Sequence, residues 1–196
     1  RPDPRPPHLR LPQGKVDEGP VKTAYIIPTG DEIREGIVRD TDSPELMRQM
    51  LAFDPTMEVT RLSPVVDRED AILRTIQEVM ERHAALVVLV GGSGGGHRFS
   101  KTLGKDYTLS ALEQYLTQCS WHEIYGKNGH MWTKLLCGEK DGVVLINVPG
   151  PFGEAQAAIR AFLEAWGQGL GVDQISRAMA QAVFAQYPVG AAEFPG

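Results

Sequence analysis

The stretch that decides the fold is Leu86-Val87-Val88-Leu89-Val90-Gly91-Gly92-Ser93-Gly94-Gly95-Gly96-His97-Arg98. An unbroken apolar run stops at a cluster of glycines. A run of this length, bounded by turn residues, fits a strand buried on both faces, the normal condition of a parallel strand. Glycine has no Cβ, so the chain can then turn sharply and come close to another group. In open α/β sheets, ligands sit just beyond the carboxyl ends of strands. A site is therefore expected at this turn.

The rest of the 196-residue chain alternates between strand and helix patterns around that strand. Residues 23–27 read as a short strand ending at Pro28-Thr29-Gly30-Asp31-Glu32. Ser43-Pro44-Glu45 reads as a helix start, with Ser43 as cap, followed by the apolar face Leu46, Met47, Met50 and Leu51. Residues 58–62 form the next predicted strand. Asp67 is expected to cap a helix with Ile72, Leu73, Ile76, Val79 and Met80 at helical spacing. Beyond the glycines, residues 107–116 read as a helix, and 121–125 and 131–137 as strands. Glu139-Lys140-Asp141-Gly142 signals a hairpin into a strand at 143–148, which ends at Pro149-Gly150-Pro151. Helices follow at 155–166 and after Asp173, the expected cap of the last one.

This order predicts an α/β fold: a three-layer sandwich with a mostly parallel central sheet. The predicted division is a proline-rich tail or linker at 1–21, an α/β domain at 22–170, and a C-terminal helix and tail at 171–196. The chain opens on Arg1 after no leader pattern and is expected to be part of a longer protein. A net charge of −5 argues against nucleic acid or an anionic membrane as a general partner. The longest apolar run is too short to span a bilayer. Two cysteines, Cys119 and Cys137, make no disulfide framework, so a reducing, cytoplasmic setting is expected.

Three predicted strand ends carry unusual turns: residues 29–32, 91–98 and 149–151. In a parallel sheet these ends share one edge, which predicts one pocket built from all three. The glycine turn is neither a G-x-G-x-x-G dinucleotide fingerprint nor a phosphate-binding P-loop, because His97 and Ser100 stand where glycines would be needed. It does match G-x-S-x-G, the nucleophile elbow of α/β-hydrolases, with Ser93 as nucleophile. The following Gly95-Gly96-His97-Arg98 starts a helix poorly, so a serine hydrolase is the remote alternative. The remaining reading is a cradle of backbone amides for an anion, with Arg98 and Lys101 adding charge. Cys119, His122, His130 and Cys137 have irregular spacing, and no metal site is assigned.

Five motifs in order carry a resemblance. They are Thr29-Gly30-Asp31-Glu32, then Asp40-Thr41-Asp42 before a helix, Val66-Asp67 before the next, Gly91-Gly92-Ser93-Gly94, and Pro149-Gly150. Over residues 22–166 the chain resembles the molybdopterin-binding domain of molybdenum-cofactor biosynthesis proteins. The resemblance implies the three-layer fold, a pocket for molybdopterin and its phosphate, and a homo-oligomer, dimer or trimer. It implies molybdopterin binding in cofactor biosynthesis, by nucleotidyl transfer or metal insertion with Mg2+ and ATP where the chain is catalytic. The alternative is a non-catalytic pterin- or nucleotide-binding module of a larger protein. Asp31 and Asp40 would be the catalytic acids. The ligand would be held by Thr29, Gly30, Glu32, Gly91, Gly92, Ser93, Gly94, Gly95, Arg98, Lys101, Pro149 and Gly150. Two departures stand out. The family's turn continues into an Arg-Asp pair followed by Thr, whereas Arg98 here precedes Phe99, which argues against adenylyl transfer. The family's usual Asn before the first helix is Asp42.

Overall fold

A computed structural model describes residues 21–94 and 106–195. Its centre is a seven-stranded sheet in the order β2-β1-β3-β6-β5-β4-β7. The strands are β1 (Thr23–Pro28), β2 (Glu58–Arg61), β3 (Leu86–Val90), β4 (Cys119–Gly126), β5 (Met131–Lys140), β6 (Val143–Val148) and β7 (Ala192–Glu193). β2, β1, β3 and β6 are parallel neighbours. β5, β4 and β7 extend the sheet with antiparallel pairs. Five strands thus run one way, and β5 and β7 the other.

The central strand explains itself. All five residues of β3 are buried. Leu86, Val88 and Val90 enter a core shared with α2 (Asp42–Phe53), α5 (Phe152–Gly167) and α6 (Val172–Phe184). Val87 and Leu89 enter a second core under α3 (Glu69–Met80) and α4 (Tyr107–Tyr115). A strand covered on both faces has no polar side to present, so alternation disappears from its sequence. The expected three layers are present. α6 adds Ile175, Met179 and Val183 to the first core.

The β5–β6 hairpin turns at Asp141 and Gly142, both with positive φ, the geometry that Asp-Gly favours. Its ladder runs from Lys140↔Val143 to Cys137↔Ile146. Past that point a side chain takes over. Leu136 N–H donates to Asn147 Oδ1 (2.7 Å), and Asn147 Nδ2 donates to the Lys134 carbonyl (2.9 Å). Asn147 is fully buried, so β6 and β5 part here while the Leu136 N–H and the Lys134 carbonyl keep a partner. The glycine turn fills the resulting fork: Lys134 N–H donates to the Ser93 carbonyl at 2.8 Å.

Three expected caps shift. α2 begins at Asp42 with Thr41 as its N-cap. Asp40 supplies the capping oxygen instead of Ser43, accepting the Ser43 N–H at 2.9 Å. α3 begins at Glu69 with Arg68 at the N-cap position and no side-chain cap, while Asp67 N–H donates to Asp31 Oδ1 at 3.1 Å. Gly171, not Asp173, caps α6, and Asp173 instead accepts from Ser120 at 2.7 Å. A four-residue helix, α1 (Asp31–Arg34), occupies what reads in sequence as a plain turn.

Candidate functional site

The ends of β1, β3 and β6 are tied to one another. Thr29 N–H and Thr29 Oγ1 both donate to the Val90 carbonyl (2.9 and 3.0 Å), and Gly91 N–H donates to the Val148 carbonyl (3.1 Å). Thr29 Oγ1 also lies 2.9 Å from Thr108 Oγ1. A hydroxyl has one proton, and that of Thr29 is committed to Val90, so Thr108 is the donor to Thr29. Both threonines are nearly inaccessible. Thr29 therefore fastens the strand ends and has no proton left for a ligand.

The glycines are demanded by packing. Gly91, Gly92 and Gly94 all have positive φ, a region costly for side chains with a Cβ. A Cβ on Gly92 would overlap Thr108 and come within 2.8 Å of Asp106 Oδ1. A Cβ on Gly94 would run into Met131. The start of α4 is thus seated directly on the turn. Asp106 is the peg: its carboxylate caps α4 by accepting the Leu109 N–H (3.0 Å) and also accepts the Gly94 N–H.

Beside this fastened turn lies an open cleft of about 220 Å3. Thr29, Val90, Gly91 and Gly150 form its floor at the strand ends, and Ile33 and Val38 give it an apolar wall. Its polar lining is mostly acidic: Glu32, Asp40 and Asp42 against Arg39. The acids differ in what holds them. Asp40 Oδ1 accepts the Ser43 N–H and Oδ2 accepts Arg61 Nε at 2.9 Å. Burial pushes the Asp40 carboxyl up, but the hydrogen bonds from Ser43 and the Arg61 guanidinium outweigh it and hold it below the usual range. Asp42 has no such help. Its Oδ1 is buried without a hydrogen-bond partner. Burial, and then the neighbouring Asp40 charge, push its carboxyl up to about 6.

A second group of acids sits at the same edge. Burial, followed by Glu32, Asp31 and Asp106, raises the Asp67 carboxyl above its ordinary value. Among the described residues, no group of three or more His, Cys, Asp or Glu side chains is arranged to hold a metal ion.

Of the residues expected at a site, Thr29, Glu32, Asp40, Gly91 and Gly150 meet in the cleft. Gly30 is one residue away, its N–H donating to the Val65 carbonyl. Asp31 points to the Asp67 amide. Pro149 is buried and does not line the cleft. Ser93 is 6% exposed, and its Oγ faces Thr133 Oγ1 at 3.5 Å. Thr133 in turn lies 3.5 Å from Glu154, so the serine looks into the sheet rather than the cleft. The Gly94 amide, expected to face an anion, is taken by Asp106. Gly95, Arg98, Phe99 and Lys101 lie outside the described residues.

Sequence reasoning missed Arg39, Asp42, Asp106 and Thr108 as parts of this edge. Asp106 had a signal: it stands directly before the helix expected at 107–116, the place of a capping acid.

A family model described as "probable molybdopterin binding domain" matches residues 25–168, from β1 to the end of α5. The chain belongs to this family. No curated protein sequence is significantly similar to it. Solved structures share the fold of this molybdopterin-binding-type domain at low identity. The molybdopterin biosynthesis enzyme MoaB from Thermus thermophilus is 19% identical, with a TM-score of 0.59 over 82% of this chain and 98% of that one. The molybdopterin biosynthesis Mog protein from Mycobacterium ulcerans is 19% identical, with a TM-score of 0.56 over 79% and 99%. CinA from Thermoplasma acidophilum, whose function is described as unknown, is 20% identical, with a TM-score of 0.55 over 76% and 98%. The described residues also contain no helix long and apolar enough to cross a membrane.

Proposed function

We propose that the protein binds molybdopterin at the carboxyl edge of its parallel strands. The observation that carries this is the meeting of Thr29, Gly91 and Gly150, the ends of three strands named by three separate family motifs, in one cleft. The architecture supplies binding and orientation; a pterin's own chemistry would stay with the pterin. Titrating the purified protein with molybdopterin under anaerobic conditions tests it. Saturable binding near one equivalent per chain is expected, and its absence at high micromolar concentration would overturn the reading.

A catalytic role, adenylyl transfer or metal insertion with Mg2+ and ATP, is the second reading. The close acids Asp31, Glu32, Asp67 and Asp106 favour it, since crowded carboxylates are where an active site adjusts pKa values. Against it, Asp31, Asp40 and Asp106 each already accept hydrogen bonds from the protein. Transfer of AMP from ATP to molybdopterin would decide for catalysis over a binding module. A cytoplasmic setting and a dimer or trimer belong to the same proposal; light scattering checks the assembly.

A further inference from the structure

The edge of the sheet opposite the cleft carries an aromatic feature that the pterin reading does not use. Phe162, in α5, is fully buried. Trp166, one turn later, stacks on it with ring centres 5.5 Å apart. Phe53, the last residue of α2, stacks on Trp166 in turn, at 6.2 Å. Three rings thus climb from the core to the surface, and the outermost, Phe53, is 39% exposed. Gly167 lets it lie close: a Cβ there would come within 2.9 Å of the Phe53 ring. Lone exposed apolar side chains need no explanation. A surface ring held in place by its neighbours does, because a rigid aromatic loses little entropy when something settles on it.

The chain itself enters the fold at this surface. Lys22, one residue before β1, places its Nζ 4.9 Å from the centre of the Trp166 ring. Val21, before it, is 50% exposed. What precedes Val21 in the sequence is Arg1 to Pro20, with six prolines. Proline-rich segments favour the polyproline II helix, and such helices dock on aromatic surfaces. At its three residues per turn, Pro6, Leu9 and Pro12 share one face, while Pro7 and Arg10 share another. Pro12 stands ten positions before Lys22, about 31 Å when extended. Gly14 and Gly19 are points where the chain can turn back.

We propose that the proline-rich segment preceding β1 folds back on its own chain and lays Pro6, Leu9 and Pro12 on the Phe53–Trp166 pair. The occupant is this segment because its attachment beside the pair gives it a high effective concentration there. Closing a loop of this length costs little more than closing a shorter one. Docking here sets the direction in which the chain upstream of the domain leaves it. The cleft at the other edge stays open, so the proposal stands or falls apart from the pterin reading.

Trypsin tests it on the full chain. Arg1 and Arg5 precede prolines, which block cleavage, so the segment offers two bonds, Arg10–Leu11 and Lys15–Val16. The first lies inside the docked stripe. A synthetic peptide of residues 1–20 gives its unshielded rate. Cleavage at Arg10–Leu11 is expected about tenfold slower in the folded chain than in the peptide, because proteolysis follows the open population. Phe53→Ser should bring the rate within about twofold of the peptide's. Pro6→Ser should raise it about threefold, whereas Pro7→Ser, off the stripe, should leave it unchanged. The two proline substitutions lie outside the folded core and carry the test even where Phe53→Ser fails to fold. A wild-type rate equal to the peptide's overturns the proposal. So does an equal response to the two proline substitutions. Protection that fades on dilution assigns the surface to the segment of a second copy, and overturns it as well.

Discussion

The two halves of the sheet invite comparison. In the parallel half, β2, β1, β3 and β6 all stop at one edge, and residues that follow β1, β3 and β6 line the cleft. In the antiparallel half, β5, β4 and β7 are closed by side-chain contacts: Lys134 pairs with Glu113 and lies over Trp121, and Trp132 meets Tyr187 edge-on. Parallel strands need crossovers, so their loops begin together at one edge. Antiparallel neighbours return by hairpins and leave no such shared edge. The difference teaches where a site can form: the residues that line the cleft belong to the parallel half.

The largest effect expected is for Gly92→Ala. A methyl there overlaps Thr108 at a residue with φ +61, so a loss of about 3 kcal/mol is expected from strain and overpacking. Urea unfolding checks it; a loss under about 1 kcal/mol would show that the turn can relax away from α4. Asn147→Ala comes next. It removes two buried hydrogen bonds at the seam between the halves, for about 2 kcal/mol, and hydrogen exchange should rise at Leu136 before it rises in β3.

Asp42→Asn should move stability the other way. The carboxyl sits at about 6 in the folded chain against 3.8 as an ordinary aspartate. The folded state therefore holds that proton more tightly, and the wild type carries a cost that is full above pH 6 and fades as pH falls toward 3.8. With partial exposure discounted, the variant gains about 1 kcal/mol at pH 7 and nothing at pH 4. Asp40 has the opposite sign, because its carboxyl is lowered: its contribution is present above pH 3.8 and is lost on acidification below that. Melting curves between about pH 2 and 8 separate the two acids. The smallest effect belongs to Lys134→Met in the antiparallel half. It should cost about 0.5 kcal/mol and leave pterin affinity unchanged; a changed affinity would break the comparison.

Much of this was legible in residue order. β3 announced itself because burial on both faces leaves no polar position, and the turn because several glycines in succession are seldom spent on a simple reversal. The convergence at Thr29, Gly91 and Gly150 followed from parallel strands sharing an edge. Other features depend on what has already been satisfied in three dimensions. Asp40 and Asp42 look alike in sequence, and only the Ser43 amide and the approach of Arg61, from β2, tell them apart. Thr29 reads as a ligand contact until its proton is traced to Val90. Asp106 escaped notice because the span between a glycine turn and its capping acid is set by loop length, which composition does not encode. One cap moved for a similar reason: the Asp173 carboxylate is claimed by a distant residue, Ser120.

The hydroxyl relay from Thr108 through Thr29 to Val90 has a direction, and direction makes its two ends unequal. Valine at position 108 would idle one lone pair on Thr29, a nearly neutral exchange. Valine at position 29 would strand the Thr108 proton inside the protein, at about 1–3 kcal/mol, although the same O···O contact disappears in both. A chain that drifts in sequence should therefore shed the hydroxyl at 108 far more readily than the one at 29.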